Sequence, residues 1–261
     1  MRQYKTVPVS FPNMGGDRLS GRLELPAEGK PTHFGIFAHC FTCGKDFFAP
    51  SKVSKALAAH GVAMLRFDFT GLGESKGSFA DSTFSTSLGD ILSAAKFLRD
   101  NYAAPSLLVG HSMGGAAALA ASADLDGIEA VAAIGSPCDP AHVLRHFKDH
   151  EQMIERAGAI ELNVAGREYV LKKSFFDDLG NHDVEQDTRN FGGAVFVFHA
   201  PDDDMVSFKN AETIYERAGT GFLIRMEGAS HMLDQREDAE KIANILAGWL
   251  QEGKQPDAKT A

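Results

Sequence analysis

The chain has 261 residues, 44% hydrophobic and 23% charged, enough to bury a sizeable core as one α/β domain or two small ones. Its net charge of −9, from 26 basic and 35 acidic side chains, argues against nucleic acid or an anionic membrane as the main partner. No window approaches the ~18 apolar residues of a spanning helix, MRQYKTVPVSF has no signal-like apolar core, and three cysteines are too few to staple the fold, so a cytoplasmic protein with reduced thiols is expected.

Residues 7–11 and 19–25 alternate about the Gly15-Gly16 turn and read as an antiparallel hairpin. Phe34 to Ala38 is a buried strand, Pro50 to His60 an amphipathic helix, and Val62 to Phe67 the next strand. The alternation continues through a helix at Ser82 to Asn101, a strand at Leu107 to Val109, a helix at Ala116 to Asp124 and a strand at Ile128 to Ile134. Such a beat implies right-handed crossovers and a mostly parallel sheet. It breaks over residues 136–190, where a basic helix (Ala141 to Arg156) and a hairpin turning at Ala165-Gly166 suggest a small lid. The beat resumes with a strand at Ala194 to Phe198, a helix at Ser207 to Ala218, a strand at Phe222 to Met226 and a helix at Arg236 to Gln251. One domain over 1–252 and a polar tail over 253–261 are expected.

The stretch PSLLVGHSMGGAAALAASA, residues 105–123, is a strand, a tight corner and a helix. Its corner, Gly110-His111-Ser112-Met113-Gly114, is G-x-S-x-G: a serine held with positive φ crowds the residues two before and two after it, which must be small. Ser112 Oγ is thereby lifted from the sheet's carboxyl edge, beside the N–H groups of the following helix. A serine nucleophile needs a base and a carboxylate to hold that base's tautomer. Of ten histidines, His231 follows the last strand directly and is the candidate base. The acidic turn Asp202-Asp203-Asp204 follows the strand ending at Phe198, giving the chain order Ser, Asp, His, and the second oxyanion donor should come from residues 37–44. His142, His146 and His150 are spaced i, i+4, i+8, which reads as a solvated helix face, no Glu completing a zinc motif.

These motifs resemble the α/β-hydrolase-fold serine hydrolases over nearly the whole chain. His39-Cys40-Phe41 occupies the place of that family's H-G-x oxyanion loop, RFDFTGLGES (66–75) is similar to its D-x-R-G-x-G-x-S segment, and HAPDDDMV (199–206) to H-G-x-x-D-x-x-V. The resemblance implies Asp203 as the acid and the N–H groups of Phe41 and Met113 as the oxyanion hole. HCFTCGKDF, LRFDFTGLGES and GHSMGGAAAL are similar to the hydrolase half of bacterial proteins fused to an OsmC-like domain, though no such domain follows Gly253 and Cys40 stands where Gly is usual. The implied activity is that of a carboxylesterase acting on a small-molecule ester through an acyl-enzyme, with no metal or organic cofactor. Asp139, after the preceding core strand, is the alternative acid. The lid, with Phe175-Phe176 and both charge signs, suggests short- to medium-chain esters. Rival readings are nucleotide binding by Gly71 to Gly77, which misses G-x-G-x-x-G by one residue, a non-catalytic ligand receptor, and a thioesterase or peptidase using the same triad. Cys40 and Cys43 form C-x-x-C inside the oxyanion loop: either packed thiols, or a redox pair whose closure twists the Phe41 peptide.

Overall fold

The computed structural model describes residues 3–144, 151–164 and 166–252. Strands β1 (Tyr4–Pro12) and β2 (Arg18–Pro26) alternate in burial and pair antiparallel, one face on the core and one in water. The next strands read as continuous apolar runs: β3 (His33–Ala38), β4 (Val62–Phe67), β5 (Leu107–His111), β6 (Ala130–Ile134) and β9 (Ala194–His199). Strands buried on both faces require such runs. With β10 (Thr220–Arg225) they complete one eight-stranded sheet of order β1-β2-β4-β3-β5-β6-β9-β10, antiparallel at β1-β2-β4 and parallel beyond.

Helices α1 (Phe48–Ala59) and α8 (Arg236–Glu252) cover one face with Val53, Leu57, Ile242 and Leu246. The other face carries α2 (Phe84–Asn101), α3 (Met113–Ala121) and α7 (Lys209–Arg217). Helix α2 begins where Thr83 and Thr86 close a capping box, two residues after the expected start.

The region after β6 contains α4 (Glu151–Ala157), the two-stranded hairpin β7 (Ala159–Val164) and β8 (Arg167–Lys172), α5 (Lys173–Leu179) and α6 (Val184–Asn190). The expected helix over residues 141–156 is described only as α4; residues 145–150, with His146 and His150, lie outside the described residues. Helix α6 differs in role from the expectation of a lid reaching residue 190. It packs on α3 and α7 with Val184 and Thr188 buried, so it is the covering helix of the β6–β9 crossover. The hairpin and α5 are tied to the body by the Lys172–Asp81 ion pair and by Ser85, whose N–H and hydroxyl donate to Asp178 at 2.8 and 2.6 Å.

Candidate active site

The turn between β5 and α3 is sharp because two side chains are missing from it. A Cβ on Gly110 would lie 2.1 Å from the Gly114 carbonyl oxygen, and one on Gly114 would lie 2.3 and 2.4 Å from the Ala38 and His39 carbonyls. Ser112 sits at φ 54° and ψ −125°, a conformation costing a non-glycine residue on the order of 1–3 kcal/mol and maintained only where the surroundings over-determine it. Its N–H donates to Ile134 O at 2.8 Å and its carbonyl accepts from Gly115 N at 2.8 Å. The side chain faces a cavity at the sheet's carboxyl edge.

His231, on the loop after β10, borders the same cavity. Its Nδ1 lies 2.7 Å from Asp203 Oδ2, and both side chains are almost fully buried. Asp203 Oδ1 accepts from the N–H groups of Met205 and Val206 at 2.9 and 2.8 Å. Burial works to raise the Asp203 carboxyl, but the His231 hydrogen bond, these N–H groups and the His231 charge outweigh it and hold the carboxyl below its ordinary value. Asp139 does not make this contact; its Oδ1 accepts from Ala141 N at 2.8 Å in its own loop. Gly135, at φ 53°, backs the pair: a Cβ there would stand 3.4 Å from His231 Nδ1 and 3.5 Å from Asp203 Oδ2.

Two further histidines brace this pair, and motif reading did not assign them a task. His111 Nε2 donates to the His231 carbonyl at 2.7 Å, fixing the His231 backbone. Burial, with the His231 charge, pushes His111 down to about 4, so it is neutral. His199 Nε2 donates to Val206 O at 2.7 Å, closing the loop that presents Asp203, and burial lowers this ring too. The signal was present, since both histidines lie inside the quoted motifs.

The loop after β3 is closed by a disulfide between Cys40 and Cys43, with Cα atoms 5.3 Å apart. This corrects the expectation of three reduced thiols; Cys138 alone is free. The physical reason is local: the chain reverses over Cys40 to Cys43, with Cys43 N–H on Cys40 O at 3.2 Å, and brings the two sulfurs together. Thr42 is carried at φ 58° within this ring. His39 pins the start of the loop, its Nε2 accepting from Phe69 N at 3.2 Å while Nδ1 donates to Cys40 O at 2.8 Å. Lys45 pins the end: its ammonium reaches Asp68 and Glu74 at 2.6 Å each, and its N–H donates to Asp68 Oδ1 at 2.7 Å. Arg66 adds Lys45 O at 2.6 Å and the fully buried Glu24 at 2.7 Å. Among the described residues, the N–H groups of Phe41 and Met113 donate to no acceptor, and both residues border the cavity.

That cavity measures ≈ 600 Å³. Its walls are chiefly apolar, with Phe41, Met113, Val143, Leu162, Val164 and Tyr169, so the hairpin forms its outer side. A second void of ≈ 40 Å³ lies behind Phe41 and Met113, against Phe79, Phe84 and Phe175. The Gly71 to Gly77 loop is no phosphate cradle, because the N–H groups of Gly71, Leu72, Glu74, Ser75 and Lys76 are already bound within the protein. His142 Nε2 lies 3.4 Å from Met205 O, and no group of three metal-binding side chains occurs among the described residues. No helix among them is long and apolar enough to cross a membrane.

The fold recurs in known proteins. The chain is 36% identical to the esterase domain of a Rhodothermus marinus protein, covering 95% of this chain and 98% of that one with a TM-score of 0.77. The fold also matches Est1E from Butyrivibrio proteoclasticus, solved with ferulic acid (22% identity, 94% and 98% coverage, TM-score 0.76). Mouse alpha/beta hydrolase domain-containing protein 10 is a third match (20% identity, 94% and 99% coverage, TM-score 0.78). No curated protein matches the chain in the sequence comparison. Residues 36–245, from within the first parallel strand into the last helix and so including the elbow, the Asp203 loop and His231, match the model of the alpha/beta hydrolase family, to which the chain belongs.

Proposed function

We propose that the protein is a serine esterase that cleaves carboxylic esters through an acyl-enzyme. The observation that carries this reading is the Asp203–His231 contact of 2.7 Å, made beside a serine held at φ 54° on the same cavity. Asp203 keeps the proton of His231 on Nδ1, which leaves Nε2 free to take the Ser112 proton as Oγ attacks the carbonyl carbon. Negative charge then develops on the carbonyl oxygen, where the unengaged N–H groups of Phe41 and Met113 receive it. His231 returns the proton to the leaving alcohol, and a water activated the same way releases the acid. Among the described residues no hydrogen bond joins Ser112 to His231; in sites of this kind that bond often tightens only around bound substrate.

The 36% identical neighbour is an esterase domain, which favours ester chemistry over the other reactions of this fold. The mostly apolar ≈ 600 Å³ cavity favours esters with one sizeable apolar group, in the short- to medium-chain range. A p-nitrophenyl ester series from acetate to palmitate tests this on wild type and Ser112→Ala. Turnover peaking at or below medium chains and lost in Ser112→Ala is expected. A palmitate optimum activated by an oil interface rejects the substrate range, and turnover that persists in Ser112→Ala rejects the mechanism. A binding protein without catalysis would show ligand affinity and no turnover in either.

A further inference from the structure

We propose that the Cys40–Cys43 disulfide is a positioning element of this site: the closed ring sets the Phe41 N–H for the oxyanion, so reduction of the bridge lowers the rate of ester cleavage. The inference rests on the reading of Ser112 as nucleophile and Phe41 as donor, and its test separates the two.

The ring contains a residue that does not belong there by local preference. Position 42 is the third of a four-residue turn and has φ 58°, a site that favours glycine, yet it carries a β-branched threonine. Something must hold it. The noncovalent anchors lie at the ends of the loop, His39 on the Cys40 carbonyl at 2.8 Å and Lys45 on Asp68. Between them, among the described residues, the backbone receives one hydrogen bond from outside the loop, Tyr169 Oη–H to Thr42 O at 3.3 Å, from the hairpin over the cavity. The Phe41 ring packs against Phe79 and Phe175 at 5.8 and 5.4 Å between centroids, which fixes the side chain. The Phe41 N–H shares its peptide plane with the Cys40 carbonyl, which is held by two hydrogen bonds, from His39 Nδ1 at 2.8 Å and from Cys43 N–H at 3.2 Å, the second made inside the ring that the bridge closes. Without the bridge, Thr42 relaxes toward negative φ, the turn opens and Cys43 N–H leaves the Cys40 carbonyl, so the peptide that carries the Phe41 N–H keeps only its His39 hydrogen bond and tilts. The sequence alone suggested the opposite sign, that closure would displace the donor; in the closed ring the Phe41 N–H is unengaged at the cavity wall.

The bridge is also placed to be reached. Cys40 and Cys43 are 6% and 9% exposed, and both face the catalytic cavity, so a small thiol must approach through the substrate's own space. Its thiolate attacks one sulfur, the Sγ–Sγ bond breaks, and the other cysteine leaves with the electron pair and takes a proton. A second thiol displaces the first from the mixed disulfide. Two thiols become one disulfide, and the protein gains two electrons and two protons.

The test uses the intact protein in three states: as isolated with the bridge closed, reduced with dithiothreitol and desalted without oxygen, and reoxidised with diamide. Thiols are counted by mass after alkylation. On reduction, kcat for a p-nitrophenyl ester should fall about 10- to 100-fold, less than the 10²–10³ for deleting an oxyanion donor outright. KM should change little, and reoxidation should restore the rate. Affinity for a trifluoromethyl ketone, whose serine adduct carries the oxyanion, should fall in step with kcat/KM, and the bound ketone should slow reduction by blocking the cavity. The Cys40→Ser/Cys43→Ser double variant should hold the reduced rate in all three states, while Cys138→Ser should behave as wild type. If the double variant does not fold, the wild-type series decides alone. Equal kcat with the bridge open and closed overturns the proposal while leaving the esterase reading intact. Absence of turnover in every state overturns the esterase reading itself.

Discussion

Two turns meet at the candidate oxyanion site, and each carries a non-glycine residue in the left-handed region: Ser112 at φ 54° and Thr42 at φ 58°. They are held by different physics. The elbow is held by close packing, with α3 pressed against the β3 backbone where Gly114 has no side chain. The loop after β3 is held by a covalent ring and by charges, since Lys45, Asp68, Glu24 and Arg66 are all nearly or fully buried behind it. Packing tolerates small adjustments, whereas a buried charge that loses its partner must stay unpaired or take up a proton, and either is costly. The comparison therefore assigns the larger vulnerability to the loop.

The sharpest way to break the comparison is Lys45→Met, which keeps most of the volume and removes the charge facing Asp68 at 2.6 Å. A loss of about 3–5 kcal/mol in unfolding free energy is expected at pH 7, because the buried Asp68 carboxylate is left uncompensated. A change below about 1 kcal/mol in urea unfolding would show that the loop does not depend on its charges.

Each turn also has a buried titratable group behind it, and the two act with opposite sign. Behind the elbow, His111 is held down to about 4, so the unfolded chain binds its proton first and stability rises with pH between about 4 and 6.5. Behind the loop, Asp90 accepts from Thr70 N and Oγ1 at 2.7 and 2.9 Å, and burial raises it to about 6. There the folded state binds the proton first, and stability falls as pH rises from about 4 to 6. Each effect is on the order of 3 kcal/mol across its window, so wild type shows little net slope from this pair. Asp90→Asn should make stability climb with pH over that range, and His111→Gln should make it decline; thermal unfolding at half-unit pH steps distinguishes the curves. Parallel curves for the two variants would contradict the assignment.

Smaller effects sharpen the contrast. Gly114→Ala places a methyl against two carbonyls and should cost about 1–3 kcal/mol as α3 shifts, less than Lys45→Met. Thr42→Gly removes the left-handed strain at the expense of chain entropy, and should alter stability by less than about 1 kcal/mol in either direction. A loss above about 2 kcal/mol from Thr42→Gly, read by thermal unfolding, would mean that the threonine side chain itself supports the ring.

What the sequence made legible follows the same division. The parallel strands appeared because doubly buried strands are continuous apolar runs, and the elbow appeared because its steric demand falls on Gly110 and Gly114, two positions from the serine. His231 and the Asp203 loop were found from chain order and their places after strands. The C-x-x-C spacing left packed thiols and a closed pair both open, because whether two cysteines three apart are joined depends on how the backbone reverses between them. The bracing by His111 and His199 was hidden for a related reason: their acceptors, His231 O and Val206 O, are backbone atoms brought close only by the tertiary fold. Residues 184–190 fell inside the expected lid because the strand–helix alternation reads as broken over 136–190, and in VEQDTRN only Val184 and Thr188 mark the face that packs on the body.

The central claim is that Ser112 is the nucleophile, and active-site labelling with a fluorophosphonate followed by peptide mass mapping tests it most directly. One adduct per chain is expected, on Ser112, absent in Ser112→Ala and formed far more slowly in Asp203→Asn. An adduct on any other residue, or ester turnover by a protein that leaves Ser112 unlabelled, would contradict it.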